Sequence, residues 1–137
     1  MIIFEDKPST KTPINAKNLN SNFAEVVETG NGENGSWTKF ADGTMIVRQR
    51  YWKAVSTNQP TGSLYWCRID DANIPEFPEQ FLFEPTVSIE GKHNDIISVM
   101  SWGNSVKKPC TTIYLYSAVT LIDTNVDFHI IAIGKWK

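Results

Sequence analysis

The chain is poor in the residues from which active sites and metal centres are built. It has two histidines and two cysteines in 137 residues. His93 falls in an apparent turn and His129 in the last strand-like run, and a lone histidine on a strand is a packed or interface residue before it is a base. No Gly-x-Ser-x-Gly elbow occurs, so the commonest strand–turn–helix nucleophile is missing. Cys67 and Cys110 have no Cys-x-x-Cys spacing, and neither a zinc cluster nor an Asp-x-Asp-x-Asp-Gly calcium run is present. No metal or cofactor is therefore expected. The two cysteines fit one bridge or two thiols; their place beside strand-like runs favours buried thiols in a chain folded in a reducing cytoplasm.

Other absences narrow the partners. With 13 Lys and Arg against 15 Asp and Glu, and Lys107-Lys108 as the one basic doublet, the chain lacks the cationic face a nucleic-acid binder needs. No run approaches the roughly 18–20 apolar residues of a membrane span, and Met1–Asp6 lacks the basic start of a secretory signal. Membrane insertion and nucleic acid are not expected. Glycosidase chemistry needs two carboxyl groups flanking a sugar bond. Asp70 and Asp71 are adjacent and, if extended, point to opposite faces. Glu76 with Glu79, or Asp123 with Asp127, can approach one another, but no spacing argues for a catalytic pair. The chain reads as a binding or structural protein, not an enzyme.

Three zones differ in composition. Residues 1–28 form an arm and a helix: Thr12-Pro13 is a helix start, and Ala16, Leu19, Phe23 and Val26 follow at helical spacing. That stripe covers only about two heptads, so it must pack on its own domain or on copies of itself. Residues 29–36, Thr-Gly-Asn-Gly-Glu-Asn-Gly-Ser, read as a hinge too rich in Gly and Asn for regular structure. Residues 37–137 are β throughout.

In that third zone Asp42-Gly43 between two strand-like runs predicts a hairpin. Leu64–Ile69 is another strand. Asn73–Pro85, with Pro75, Pro78 and Pro85 among Phe77, Phe81 and Phe83, is an edge or an irregular crossing. Thr86–Glu90 and Ile96–Trp102 read as strands joined across residues 91–95. Thr111–Ile122 alternates, with Ile113, Leu115, Val119 and Leu121 on one face and Tyr114, Tyr116, Ala118 and Thr120 on the other. Val126–Trp136 is apolar on both faces, Phe128 and Ile130 on one and Ile131 and Ile133 on the other, which needs a cover on each side. The fold class is mostly β: an antiparallel β-sandwich head with a short N-terminal arm and helix.

The unusual feature is the aromatic load. In Tyr51-Trp52 and Tyr65-Trp66 one ring of each pair must face away from the core if the pairs lie in strands. Such a ring meets solvent, another subunit or a ligand. Trp52, Trp66, Trp102 and Tyr114 are the candidate ligand contacts.

The stretch Glu33-Asn34-Gly35-Ser36-Trp37-Thr38-Lys39-Phe40-Ala41-Asp42-Gly43-Thr44-Met45-Ile46 resembles the opening hairpin of the C-terminal β domain of phage tail-fibre and prophage tail proteins. Ile74-Pro75-Glu76-Phe77-Pro78-Glu79-Gln80-Phe81 and Ile131-Ala132-Ile133-Gly134-Lys135-Trp136 are similar to later parts of that family. Lys7–Asn20, with Pro8-Ser9-Thr10 before Thr12-Pro13-Ile14-Asn15-Ala16, looks like the leader of phage minor structural proteins. The resemblance covers about a third of the chain. It implies a homotrimer made in the bacterial host cytoplasm and carried on the virion tail or baseplate. The N-terminal segment would be attached to other tail or baseplate proteins, and the β head would bind a host cell-surface glycan or protein. It also implies that Ala16, Leu19, Phe23 and Val26 form a three-fold seam. The other readings are a structural baseplate or decoration protein without a ligand, a hydrolytic tip that trims polysaccharide, and a free-standing carbohydrate-binding module.

Overall fold

The computed structural model describes residues 25–103 and 105–137. Among the described residues nine strands follow in chain order: β1 Val26–Gly32, β2 Gly35–Phe40, β3 Thr44–Thr57, β4 Gln59–Thr61, β5 Leu64–Ile69, β6 Thr86–Lys92, β7 Ile97–Trp102, β8 Thr112–Ser117 and β9 Leu121–Lys135. They form two antiparallel sheets, a five-stranded one in the order β1-β2-β3-β9-β6 and a four-stranded one in the order β4-β5-β8-β7. The only helical element among the described residues is one 3-10 turn, Asp71–Asn73.

Alternation along the strands decides what is buried. On β3 and β9 the residues Met45, Val47, Val55, Val126, Phe128, Ile130 and Ala132 point inward and are buried. On the smaller sheet Ile69, Ile113 and Leu115 do the same. Val55, Val126 and Phe128 meet Ile69, Ile113, Leu115 and Cys110 in one apolar cluster, so the two sheets share a core and lie face to face across it. Tyr51 stacks on Phe128 at 5.7 Å between ring centroids.

The five-stranded sheet is longer than its partner, and the Pro-rich crossing covers the rest. Phe77 and Phe81 pack edge to face at 5.0 Å and close a second cluster with Met45, Val47 and Ala132. Backbone bonds pin the crossing: Leu82 N–H donates to Lys135 O at 2.7 Å, and Phe81 N–H to Val106 O at 3.0 Å. Its three prolines cost no sheet hydrogen bond there, as the composition predicts.

Where the sheets meet at the end of β3, buried polar groups are wired in series. Leu121 N–H donates to Thr57 Oγ1 at 3.0 Å. Thr57 Oγ1 lies 2.6 Å from Ser117 Oγ, and Ser117 in turn donates to Val119 O at 2.6 Å. Both side chains are buried.

The Asp42-Gly43 hairpin forms as expected, joining β2 to β3. Asp42 Oδ1 accepts from Thr44 N–H at 2.9 Å, and Gly43 sits at φ +93°. Four other expectations are corrected. Residues 29–36 are not an irregular hinge; they lie in the β1–β2 hairpin, whose Gly32 and Gly35 pair around Glu33-Asn34. Gly35 serves the turn at φ +127°. Val26 is not helical but extended opposite Phe40, as its β-branched neighbourhood favours; Ala16, Leu19 and Phe23 lie outside the described residues. The single run Thr111–Ile122 is two strands, because Ala118–Thr120 turns the chain from β8 into β9. Val119 is consequently exposed rather than core. Finally the strands read as joined across residues 91–95 are not neighbours: β6 runs on to Lys92 and pairs with β9, while β7 pairs with β8, so residues 93–96 cross between sheets.

Candidate functional site

The outer face of the four-stranded sheet carries the aromatics. Because Ile113, Leu115 and Ser117 point inward on β8, Tyr114 and Tyr116 point outward. Register sets their neighbours. Tyr116 stands between Trp66 on β5 and Ser98 on β7, and Tyr114 between Arg68 and Met100. Trp102 pairs with Thr112 one row further on, and Gln59 on β4 flanks Trp66. Trp66 and Tyr114 touch diagonally, 6.2 Å between centroids at 49°. With strands about 4.8 Å apart, the surface from β5 to β7 spans roughly 10 Å. Trp102 is 69% exposed with Met100 exposed near it, and Leu64 is exposed at the opposite end of the face. A shallow notch of about 90 Å³ between Leu64, Ile96, Ser98 and Tyr116 ends this platform.

Three of the four expected contact residues, Trp66, Trp102 and Tyr114, therefore share one face. Trp52 does not join them. It is 58% exposed on the outer face of the other sheet, where the Arg50 guanidinium lies 5.0 Å over its ring. The expectation that each aromatic pair splits holds: Tyr51 goes to the core, its hydroxyl donating to Asn73 O, while Trp52 goes outward. Sequence reading missed Tyr116, Met100 and Leu64 as platform residues. The alternation of β8 already placed Tyr116 beside Tyr114.

Four of the six acidic residues considered for a glycosidase pair are taken up by cations. Asp70 bonds Arg68 at 2.8 Å, Asp71 lies 3.4 Å from Lys108 and Glu79 2.7 Å from Lys39. Asp127 is gripped by Arg50, whose Nε and Nη2 donate at 3.0 and 2.8 Å. His129 Nε2 adds a contact to Asp127 Oδ2 at 3.0 Å. Those hydrogen bonds, Arg50's first, hold the Asp127 carboxyl below the usual carboxylate range. Cys67 and Cys110 are free thiols. Burial pushes the Cys110 thiol up to about 11, which leaves it unreactive as a nucleophile.

What the fold defines at this point is a two-sheet antiparallel β protein with an aromatic outer face. Two solved structures are similar to it. The N-truncated R1-type pyocin tail fibre aligns over 90% of this chain and 98% of that one, with a TM-score of 0.49 and 16% identity. The R1 pyocin fibre of P. aeruginosa comprising C-terminal residues 323-701 aligns over 88% of this chain and 32% of that one, with a TM-score of 0.43 and 15% identity. Likenesses this distant leave function to the chain's own residues. No protein-family model and no curated protein matches the chain.

Proposed function

We propose that the chain is a phage or prophage tail-fibre tip protein: a non-catalytic virion adhesin that binds a host cell-surface glycan through the outer face of its four-stranded sheet. The carrying observation is the platform of Trp66, Tyr114, Tyr116 and Trp102. Flat aromatic faces with polar tips stack on the apolar faces of sugars, and Gln59 and Arg68 stand beside them to take hydroxyls. Tail-fibre identity rests on the sequence resemblance of the β2–β3 hairpin, the Pro-Phe-Pro segment and the last strand. In this reading three copies assemble, the N-terminal segment joins tail or baseplate proteins, and weak single sites gain strength through effective concentration.

The test is binding to an array of bacterial surface polysaccharides, with Trp66→Ala and Tyr114→Ala beside the parent and light scattering for mass. Glycan capture that both substitutions abolish, by a species three times the chain mass, is the expected result. Equal capture by parent and variants would sink the platform. A second reading, a ligand-free decoration protein, draws on the same exposed aromatics. It requires that assembly cover the platform, so that no glycan binds and Trp66→Ala breaks the oligomer.

A further inference from the structure

The opposite face of the molecule holds a second concavity. On the outer side of the five-stranded sheet the β1–β2 turn stands beside β3 and β9 and encloses a groove of about 520 Å³, within the size range of small-ligand sites. Asn31, Glu33 and Ser36 line one wall, and Arg48, Arg50 and His129 line the floor. The fold builds this shape deliberately at one point. Gly35 at φ +127° lets the turn close on β3, where any Cβ would fall 2.3 Å from Arg48 O.

The two arginines are unequal, and the inequality is informative. Arg50 is clamped. Its Nε and Nη2 donate to Asp127 and its guanidinium lies on the Trp52 ring, so one fork edge is spent and the other is held facing outward. Asp127 is paired with Arg50 and contacted by His129, so the two charges of the pair offset one another and Arg48 supplies the free positive charge of the groove. Arg48 is exposed, and no carboxylate lies within ion-pair distance of it among the described residues. It stands two residues from Arg50 on the same face, about 7 Å along the strand. On β6, Glu90 and Lys92 lie 3.5 Å apart and offset each other.

We propose that this groove binds an acidic sugar unit, with the carboxylate or phosphate held between Arg48 and Arg50 and the sugar hydroxyls met by Glu33 and Asn31. The mixed lining selects this class. Two guanidinium groups favour an anion, while the Glu33 carboxylate at the rim penalises a bare anion and rewards one that also offers hydroxyl donors. Trp52 has a positioning role here, holding the Arg50 plane rather than stacking on sugar. The site stands on its own geometry, independent of the tail-fibre reading and of the platform on the other sheet.

The experiment is an NMR titration of the ¹⁵N-labelled full chain at low ionic strength with glucuronic acid, glucose 6-phosphate and glucose. The expected result is saturable shifts at Ser36, Arg48, Arg50 and Ile131 with either or both acidic sugars and none with glucose. A response to one acid alone identifies the anion as carboxylate or phosphate. Arg48→Ala, at an exposed position that the fold does not use, should weaken binding by about tenfold or more, the worth of a charge-assisted hydrogen bond. Arg50→Lys should weaken it too, by losing the fork. Trp66→Ala should leave it unchanged, which separates this site from the platform. Equal binding of glucose, acid binding that survives Arg48→Ala, or no saturable shift with either acid would each overturn the proposal.

Discussion

Replacing Gly91 by alanine should destabilise the protein, and the same replacement in a chain that already carries Val99→Ala should cost little. Gly91 lies on β6 opposite Phe128 and faces the neighbouring sheet. A Cβ there would fall 2.8 Å from Val99 Cγ2, 3.2 Å from Ile97 Cδ1 and 3.4 Å from Val126 Cγ1. The first contact is too close for a β-branched side chain with one strongly preferred rotamer to relieve by rotation. Overpacking of this kind costs about 1–3 kcal/mol. Val99→Ala alone removes two methyl groups, at about 0.8 kcal/mol each, for a loss of about 1.5 kcal/mol. In the double variant the new Cβ occupies space the Val99 methyl has left, and only the far end of Ile97 must shift. The pair should therefore cost little more than Val99→Ala by itself, a favourable coupling of about 1–2 kcal/mol. Urea unfolding of the parent, both singles and the double, with unchanged m values, reads this directly. Additivity within about 0.5 kcal/mol would refute the reasoning, since independent sites add to that accuracy.

Two further outcomes follow from other sites. Thr57→Val keeps shape but leaves Leu121 N–H buried without an acceptor and breaks the chain through Ser117; a loss of about 1–3 kcal/mol is expected in urea or thermal unfolding, and a neutral result would mean the hydroxyl relay is not formed. The Asp127 carboxyl is held below its ordinary value of 3.8 chiefly by the Arg50 hydrogen bonds. Because the folded pKa is the lower one, the stability this provides is complete above the ordinary carboxylate value and is lost as pH falls through the depressed one. Arg50→Ala should thus lower stability at neutral pH and flatten the acid limb of a stability–pH profile below pH about 4, while an unchanged limb would show that the ion pair does not hold in solution.

Local chemistry was legible in the sequence, and long-range placement was not. The Asp42-Gly43 hairpin needs only a glycine at positive φ and a side chain to cap it, so four residues suffice to read it. Alternation gave Ile113 and Leu115 to the core and the tyrosines to the outside, because a strand has a fixed period. What failed was composition taken as conformation. The glycines of 29–36 suggested looseness, yet Gly35 at positive φ is what lets the turn between β1 and β2 close. Val26 continued a helical spacing, but pairing with Phe40 outweighs three-residue periodicity in so short a stripe. The groove at Arg48 and Arg50 was unreadable for a different reason. It exists only where the β1–β2 turn stands beside β9, nearly a hundred residues away along the chain. The assignment of β6 and β7 to separate sheets was hidden likewise, since a short connection reads the same whether it turns within a sheet or crosses between two.

The place of β9 has a consequence for biosynthesis. It lies between β3 and β6, with Thr44 paired to Lys135 and Val87 to Ala132, so a nascent chain displays both flanking edges on the ribosome until residues 121–135 emerge. Contacts this distant in sequence form slowly, and open edges in the meantime accept any matching strand. The best-matching strand for those edges, besides the chain's own, is β9 of a second copy. Exchange of β9 between copies would preserve every register pair at the cost of a longer reach, so strand-swapped assemblies are the expected by-product of expressing this fold at high density.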